Sequence, residues 1–272
     1  MAVIRSLESK KPAGKRICYD PFAQKKVGPG YYLLESAFNA YAEWRSPGLI
    51  GFVVSRTRYI DDYLEKCLDS ATKQVIILGA GLDSRAYRFA ILKGPVKVFE
   101  VDQPATQTAK IDRVKKIFHE IPKHVTFIPL DFNEETLEKL VKCGYNRLLK
   151  TLFIWEGVIP YLHSEAVDAI LAWVRSNSAQ GSSIIFDFIH ASALSGEHLR
   201  EEVKLSQWSH RITGEGLIFG IEKDQIVGFM TQRGFTSVVN ACAEDFKRLY
   251  FMGPNQNRPV ADIYSIVHAT VP

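Results

Sequence analysis

The 272-residue sequence is short of the residues that staple, coordinate or span. It holds four cysteines, Cys18, Cys67, Cys143 and Cys242, widely spaced and with no CxxC pair. That argues against a disulfide framework or a zinc ribbon, and predicts reduced, packing thiols in a cytoplasmic protein. The seven histidines are scattered, and none forms HExxH or another helix-face pair, so no metal site is expected. Charge of one sign is also scarce. With 34 basic against 30 acidic residues the chain carries +4 and no long basic run, which disfavours nucleic acid as a partner. No apolar stretch approaches bilayer length, and the opening MAVIRSLESKKPAG lacks the apolar core of a signal peptide, so neither a membrane nor an export route is expected. Internal repeats and low-complexity segments are absent too. What remains is 46% hydrophobic content, enough to bury a full core in one domain with elaborations.

The most informative stretch is VIILGAGLDSRAYRF, from Val75 to Phe89. An apolar run enters a glycine turn and leaves in a helical pattern, so it reads as strand, loop and helix. Gly79 and Gly81 lack the Cβ atoms that would hold a ligand off the backbone, and glycine accepts the positive φ of a sharp turn. Ala80 lies between them. A dinucleotide would set its pyrophosphate on unobstructed helix N–H groups, yet Asp83 stands where that phosphate would arrive. A carboxylate there favours a ligand with a cationic amine or sulfonium and no phosphate, as in S-adenosylmethionine. About twenty residues on, the second strand, Val96 to Val101, delivers Glu100 and Asp102 where a ribose would present its hydroxyls. A third strand, His124 to Phe132, ends in Asp131 and Phe132, an acceptor for an adenine amino group beside an apolar face. A fourth, in TLFIWEGVIPYL from Thr151 to Leu162, ends in Glu156 and then Tyr161. Four strand ends thus offer Asp83, Asp102, Asp131 and Glu156 to one side of a sheet, where open α/β folds bind ligands.

These motifs resemble those of the leucine carboxyl methyltransferase and polyketide O-methyltransferase family, class I enzymes that use S-adenosyl-L-methionine. The resemblance rests on GAGLDSRAYR, FEVDQP, PLDF and FIWEGVIPYL. YDPFAQ, from Tyr19 to Gln24, and GFVVSRTRYIDDYL, from Gly51 to Leu64, extend it over roughly the first 165 residues. It implies a Rossmann-like α/β fold, a mostly parallel seven-stranded sheet with helices on both faces, plus a helical N-terminal cap. It further implies that Arg56 pairs with the methionine carboxylate and that Gly79 and Gly81 line the methionyl and ribose region. Asp102 would hold the ribose, Asp131 and Phe132 would flank adenine, and Glu156 would face the amine or sulfonium. Arg58 lies two positions from Arg56, well around a helix, so only one of them can face the cofactor. Arg56 is chosen by its match to the family. The family's N-terminal lysine has no secure counterpart; Lys15 and Arg16 are candidates, though a flexible basic tail describes them as well.

Residues 1–73 read as the cap, with helix-compatible spacing from Tyr32 to Trp44 and from Phe52 to Leu68 around the break Ser46-Pro47-Gly48. Residues 74–272 read as the core. Helices are predicted over Pro104 to Phe118, Glu134 to Val141, Ser164 to Ser176 and Glu222 to Gly234, and a fifth strand over Ser182 to His190. Residues 191–220 have little strand pattern and suit either a lid, with a helix around Leu199 to Trp208, or a connector. Phe235 to Asn240 and Ala261 to Ala269 are expected to close the sheet as two edge strands, one antiparallel.

No dedicated general base stands out. A carboxylate acceptor is ionised at neutral pH and needs none, whereas a phenol or amine needs a proton removed. This favours methyl-ester formation on a small-molecule or peptide carboxylate, with Tyr161 as a group that could orient the acceptor. The corner after the fourth strand lacks the Asn/Asp and double proline typical of amino methylation. Hydroxyl methylation in a natural-product pathway, a non-catalytic cofactor binder and an NAD-dependent oxidoreductase are the alternatives. His190, just after the fifth strand, is the one histidine to test near a substrate, a capping or surface role being its more ordinary reading. The acceptor's identity and the oligomeric state are not legible.

Overall fold

Seven strands form one sheet in the order β3-β2-β1-β4-β5-β7-β6. They are β1 (Gln74–Leu78), β2 (Lys97–Asp102), β3 (Val125–Pro129), β4 (Thr151–Trp155), β5 (Ser183–Ile189), β6 (Thr236–Ala241) and β7 (Tyr264–Thr270). The computed structural model describes residues 1–26, 41, 43–44, 46–194 and 216–272. Strands β1 to β5 are parallel, while β7 runs antiparallel to both β5 and β6. The two late strands are therefore not both edges, as expected from the sequence. β7 is inserted between β5 and β6, and the edges among these strands are β3 and β6.

Strand alternation explains the layers. On β1, Val75 and Ile77 join one apolar cluster and Ile76 and Leu78 join another, and β4 divides likewise between Leu152 and Ile154 and Phe153 and Trp155. Strands buried on both faces read as continuous apolar runs, which is why they were legible. One face is covered by α1 (Ala2–Lys10), by α3 (Leu49–Asp69) and by α9 (Ala243–Tyr250), through Ile4, Phe52, Ile60, Leu64 and Phe246. Between α1 and α3 lies the short α2 (Pro21–Lys26). The other face is covered by α7 (Ser164–Ser176) and α8 (Ile226–Gln232), through Val167, Ile170, Leu171, Val174, Ile226 and Met230. Each such side chain contributes about 1.5–3 kcal/mol on burial. The remaining helices are α4 (Arg85–Arg88), α5 (Pro104–Phe118) and α6 (Glu138–Lys142).

Register brings the functional residues together. Leu78 pairs with Val101, so the loop after β1 stands beside Asp102, and Trp155 pairs with Phe186, so Glu156 stands beside Asp187. Lys15 stays exposed, while the chain on either side of it is tied down. Glu8, 2% exposed, accepts from the Ile17 backbone and from Arg258 at 2.9 Å each, tying α1 to the C-terminal segment. The expected helix at Tyr32 to Trp44 falls almost wholly outside the described residues, and that at Leu199 to Trp208 falls entirely outside them. Among the described residues no helix is long and apolar enough to cross a membrane.

Candidate active site

A cavity of about 270 Å³ lies at the carboxyl ends of β1 and β4, lined by Arg5, Arg56, Gly79, Ala80, Gly81, Asp83, Glu156 and their neighbours. The β1 loop can pass this closely only because of its glycines. Gly79 has φ +66°, and a Cβ on it would fall 2.1 Å from Val158 Cγ2. Gly157, φ +71°, leaves room for the Arg56 guanidinium, whose Nη1 would lie 3.4 Å from an added Cβ. Gly81 is different, since its added Cβ would meet nothing nearer than 3.8 Å.

The walls are built from buried ion pairs. Arg56, 3% exposed, donates from Nε to Glu156 Oε1 at 3.1 Å and from Nη1 to Asp187 Oδ2 at 2.6 Å, with Nη2 3.0 Å from Glu156 Oε1. Arg85 donates to Asp61 at 2.7 Å, to Glu156 Oε2 at 2.6 Å and to Asp83. Arg88 pairs with Asp61, and Arg5 with Asp20 and, at 4.0 Å, with Glu156. Burial alone would raise the Glu156 pKa, but Arg85, Arg56 and Arg5 outweigh it and hold the carboxyl far below the usual range. For Asp83 burial is likewise outweighed, chiefly by Arg85. Asp187 goes the other way. Burial pushes its carboxyl up despite Arg56.

Among the described residues this lattice sets four guanidiniums against five carboxylates, leaving one negative charge at neutral pH, where the Met1 amine in the same cavity, its pKa lowered by burial to about 6, is largely uncharged. A ligand of net charge +1 with its own ammonium and carboxylate suits it, and S-adenosyl-L-methionine has that charge. The open glycine cradle and the acid at the β2 end fit the same molecule. Asp102, 8% exposed, accepts from the Gly81 and Gln103 N–H groups, and burial raises its pKa against those two bonds.

Of the residues singled out from sequence, Arg56, Gly79, Ala80, Gly81, Asp83 and Glu156 line one cavity, and Asp102 adjoins it. Arg58 points elsewhere, to Asp62 at 2.6 Å, with about half of its side chain exposed. Glu100 does not reach the cavity. It is 0% exposed and paired with Lys110 at 2.8 Å and the Tyr87 hydroxyl at 3.0 Å, because residues on this strand from Val98 onward are all buried. Lys110 in turn donates to the Ala80 carbonyl at 3.1 Å, so Glu100 braces the loop from beneath. Asp131 and Phe132 also stay apart. Asp131 accepts from the Asn133 N–H in a local turn, and Phe132 is 7% exposed in the apolar core. Tyr161 is 42% exposed, beyond the cavity, in the turn Ile159–Tyr161. His190 is bonded to Ser265 at 2.9 Å and is 7% exposed. Neither Lys15 nor Arg16 lines this cavity. Arg16 stacks on Tyr19 at the mouth of a separate cavity of about 630 Å³, on the far side of Asp61.

Sequence reasoning missed Arg5, Asp61, Arg85 and Asp187. A charged residue inside an apolar strand, as in IIFDFI, was the available signal for Asp187. Arg5 carried none, since its partners Asp20 and the Leu82 carbonyl are distant in sequence. Among the described residues no group of three or more His, Cys, Asp or Glu is placed to hold a metal.

Comparison with known proteins points to one family and one fold. Residues 1–175 match the profile of a family described as leucine carboxyl methyltransferase. A candidate S-adenosyl-L-methionine-dependent methyltransferase of Mycobacterium avium (strain 104) is 27% identical over 281 residues, covering 98% of this chain and 91% of that protein. Another, from Streptomyces coelicolor, is 32% identical over 185 residues, covering 67% of this chain and 64% of its own. Among solved structures, a candidate methyltransferase from Thermobifida fusca YX aligns with TM-score 0.61 at 14% identity, over 100% of this chain and 94% of that one. Magnesium protoporphyrin IX methyltransferase from Synechocystis PCC 6803, solved with bound S-adenosylhomocysteine, aligns with TM-score 0.50 at 12% identity, over 91% and 100%. At such identities the likeness is one of fold, the class I methyltransferase fold.

Proposed function

Because the chain belongs to the leucine carboxyl methyltransferase family and is an S-adenosyl-L-methionine-dependent methyltransferase, we propose that it esterifies a carboxylate of a small molecule or a peptide. One observation carries this reading. Among the described residues that line the cavity the only acids are Asp83 and Glu156, and arginines hold both in the ionised, weakly basic state. Among the described residues no histidine, lysine or tyrosine side chain lines it. The Met1 amino group does, but with its pKa lowered by burial to about 6 it is too weak a base to take the proton of a phenol outright, which favours an acceptor that arrives already deprotonated. A carboxylate does so at neutral pH.

When bound, S-adenosyl-L-methionine supplies an electrophilic methyl group that the acceptor oxygen takes as the sulfur–carbon bond breaks. The chain's residues then align, exclude water and set charge. In this reading Arg56 holds the methionine carboxylate and Glu156 the ammonium. Gly79, Ala80 and Gly81 give the backbone surface for the methionyl and ribose parts, and Asp102 takes the ribose hydroxyls. Asp131, Phe132 and Tyr161 lie outside the cavity, so in this reading adenine would extend past its wall toward the first two and the acceptor toward Tyr161.

The test is to incubate the protein with methyl-labelled S-adenosyl-L-methionine and a metabolite extract, then treat the products with mild alkali. Volatile labelled methanol is expected, since methyl esters hydrolyse. Label that survives alkali would show an ether or amine product and overturn the carboxyl assignment.

A further inference from the structure

Asp187 sits in β5 between Phe186 and Phe188, both 0% exposed, and is itself 3% exposed. Its two oxygens serve two different elements. Oδ2 accepts from Arg56 Nη1 on α3, and Oδ1 accepts from the Gly157 backbone N–H in the loop after β4, each at 2.6 Å. Both partners line the cavity, and Asp187 does not. A carboxylate in so apolar a strand is not explained by stability, because well-packed apolar residues replace buried ion pairs without loss or with gain. What it does supply is geometry. Three contacts, two to Glu156 and one to Asp187, engage Arg56, and two of its five N–H groups remain beyond these contacts.

We infer that Asp187 is the positioning residue that aims the Arg56 guanidinium at the methionine carboxylate and fixes the Gly157 turn against it. This rests on the reading that Arg56 binds that carboxylate. Asparagine at position 187 separates the two tasks. Its carbonyl can still accept from the Gly157 N–H, but its NH₂ then faces the Arg56 donor, and two donors repel. The arginine loses its fixed direction while the turn is kept.

The experiment compares S-adenosyl-L-methionine with its decarboxylated analogue, which keeps the sulfonium and lacks the carboxylate, by calorimetric titration of the intact protein. Wild type is expected to prefer the parent by about 10-fold or more, the scale of one charge-assisted pair. Asp187→Asn should reduce that preference to within about 3-fold while binding the analogue about as well as wild type does. Retained preference in Asp187→Asn, or equal weakening of both ligands, overturns the inference and leaves the Arg56 reading standing. Absence of preference in wild type overturns the Arg56 reading itself. Arg56→Lys gives an independent check if Asp187→Asn does not fold. A single ammonium cannot hold both Asp187 and the ligand in a fixed fork, so the preference should fall there too, and its persistence counts against the inference.

Discussion

Arg56 and Arg58 lie about 200° apart around α3, and their surroundings differ accordingly. Arg56 is enclosed with Glu156 and Asp187, while the Arg58–Asp62 pair is nearly half exposed at both ends. Exposed i,i+4 pairs contribute about 0.3–0.5 kcal/mol, so Arg58→Ala should leave cofactor affinity within about 2-fold and barely move the unfolding midpoint. Arg56→Ala should weaken S-adenosyl-L-methionine binding by roughly 30-fold or more in titration calorimetry. The reverse ranking would reassign the carboxylate site. The glycines divide in the same way. An alanine at 79 combines a positive φ with a methyl driven into Val158, whose branched side chain has little rotamer freedom to yield. Gly79→Ala should therefore lower both stability and affinity, whereas Gly81→Ala makes only ordinary van der Waals contacts and carries backbone strain of about 1–2 kcal/mol. Thermal shift with and without cofactor distinguishes them, and equal losses would place the crowding elsewhere. These residues were legible because a local pattern, strand then GxG then acid, marks them. Arg85 and Asp61 were not, since what makes them matter is a meeting of α3, α4 and the β4 end that no window of sequence contains.

At the scale of elements, the glycine loop rests on a strut formed by β2 and α5. Glu100 accepts from Lys110 and Tyr87, and Lys110 reaches on to the Ala80 carbonyl. Both charges are essentially buried, 0% and 1% exposed. Lys110→Met, close in volume, leaves Glu100 without its cation and should cost about 3–5 kcal/mol in denaturant unfolding. Adding Glu100→Gln removes the stranded charge and should recover much of that loss. If the double variant is no more stable than Lys110→Met, the strut is not an ion pair in energetic terms. Element type was readable wherever burial follows one residue class, as in QVIIL and TLFIW. It failed for α1, whose buried face includes Arg5, Ser6, Glu8 and Ser9, so that no apolar period marks it. Arg5, Glu8 and Ser9 are satisfied by Asp20, Ile17 and Arg258, up to 250 residues away. The place of β7 failed for a related reason. Its alternating residues declare a strand, but only pairing with both β5 and β6 declares it central.

The whole molecule should respond to acid in two stages. His268, on β7, stacks on Tyr63 of α3 at 4.2 Å, and burial, aided by Lys66, lowers its pKa to about 4. His190, at the end of β5, is lowered as well, first by burial and then by Lys223. As pH falls below about 6.5, the ordinary histidine value, the unfolded chain takes up protons that the folded chain refuses, so stability declines toward pH 4. The carboxylates act lower down. Glu8, Asp20, Asp83 and Glu156 are held below their ordinary values by arginine partners that outweigh burial. Their contribution is complete above the ordinary carboxylate values near 4 and is lost as pH falls through the depressed ones. A urea-midpoint series from pH 8 to 3 should therefore decline gently first and steeply at the end. His268→Gln should flatten part of the upper limb, the remainder belonging to His190 and to the Met1 amino group, lowered by burial to about 6, and leave the lower limb unchanged. An unaltered profile would mean that His268 is protonated as readily in the fold as out of it, which its place between α3 and the sheet forbids unless that layer opens before the ion-pair lattice does.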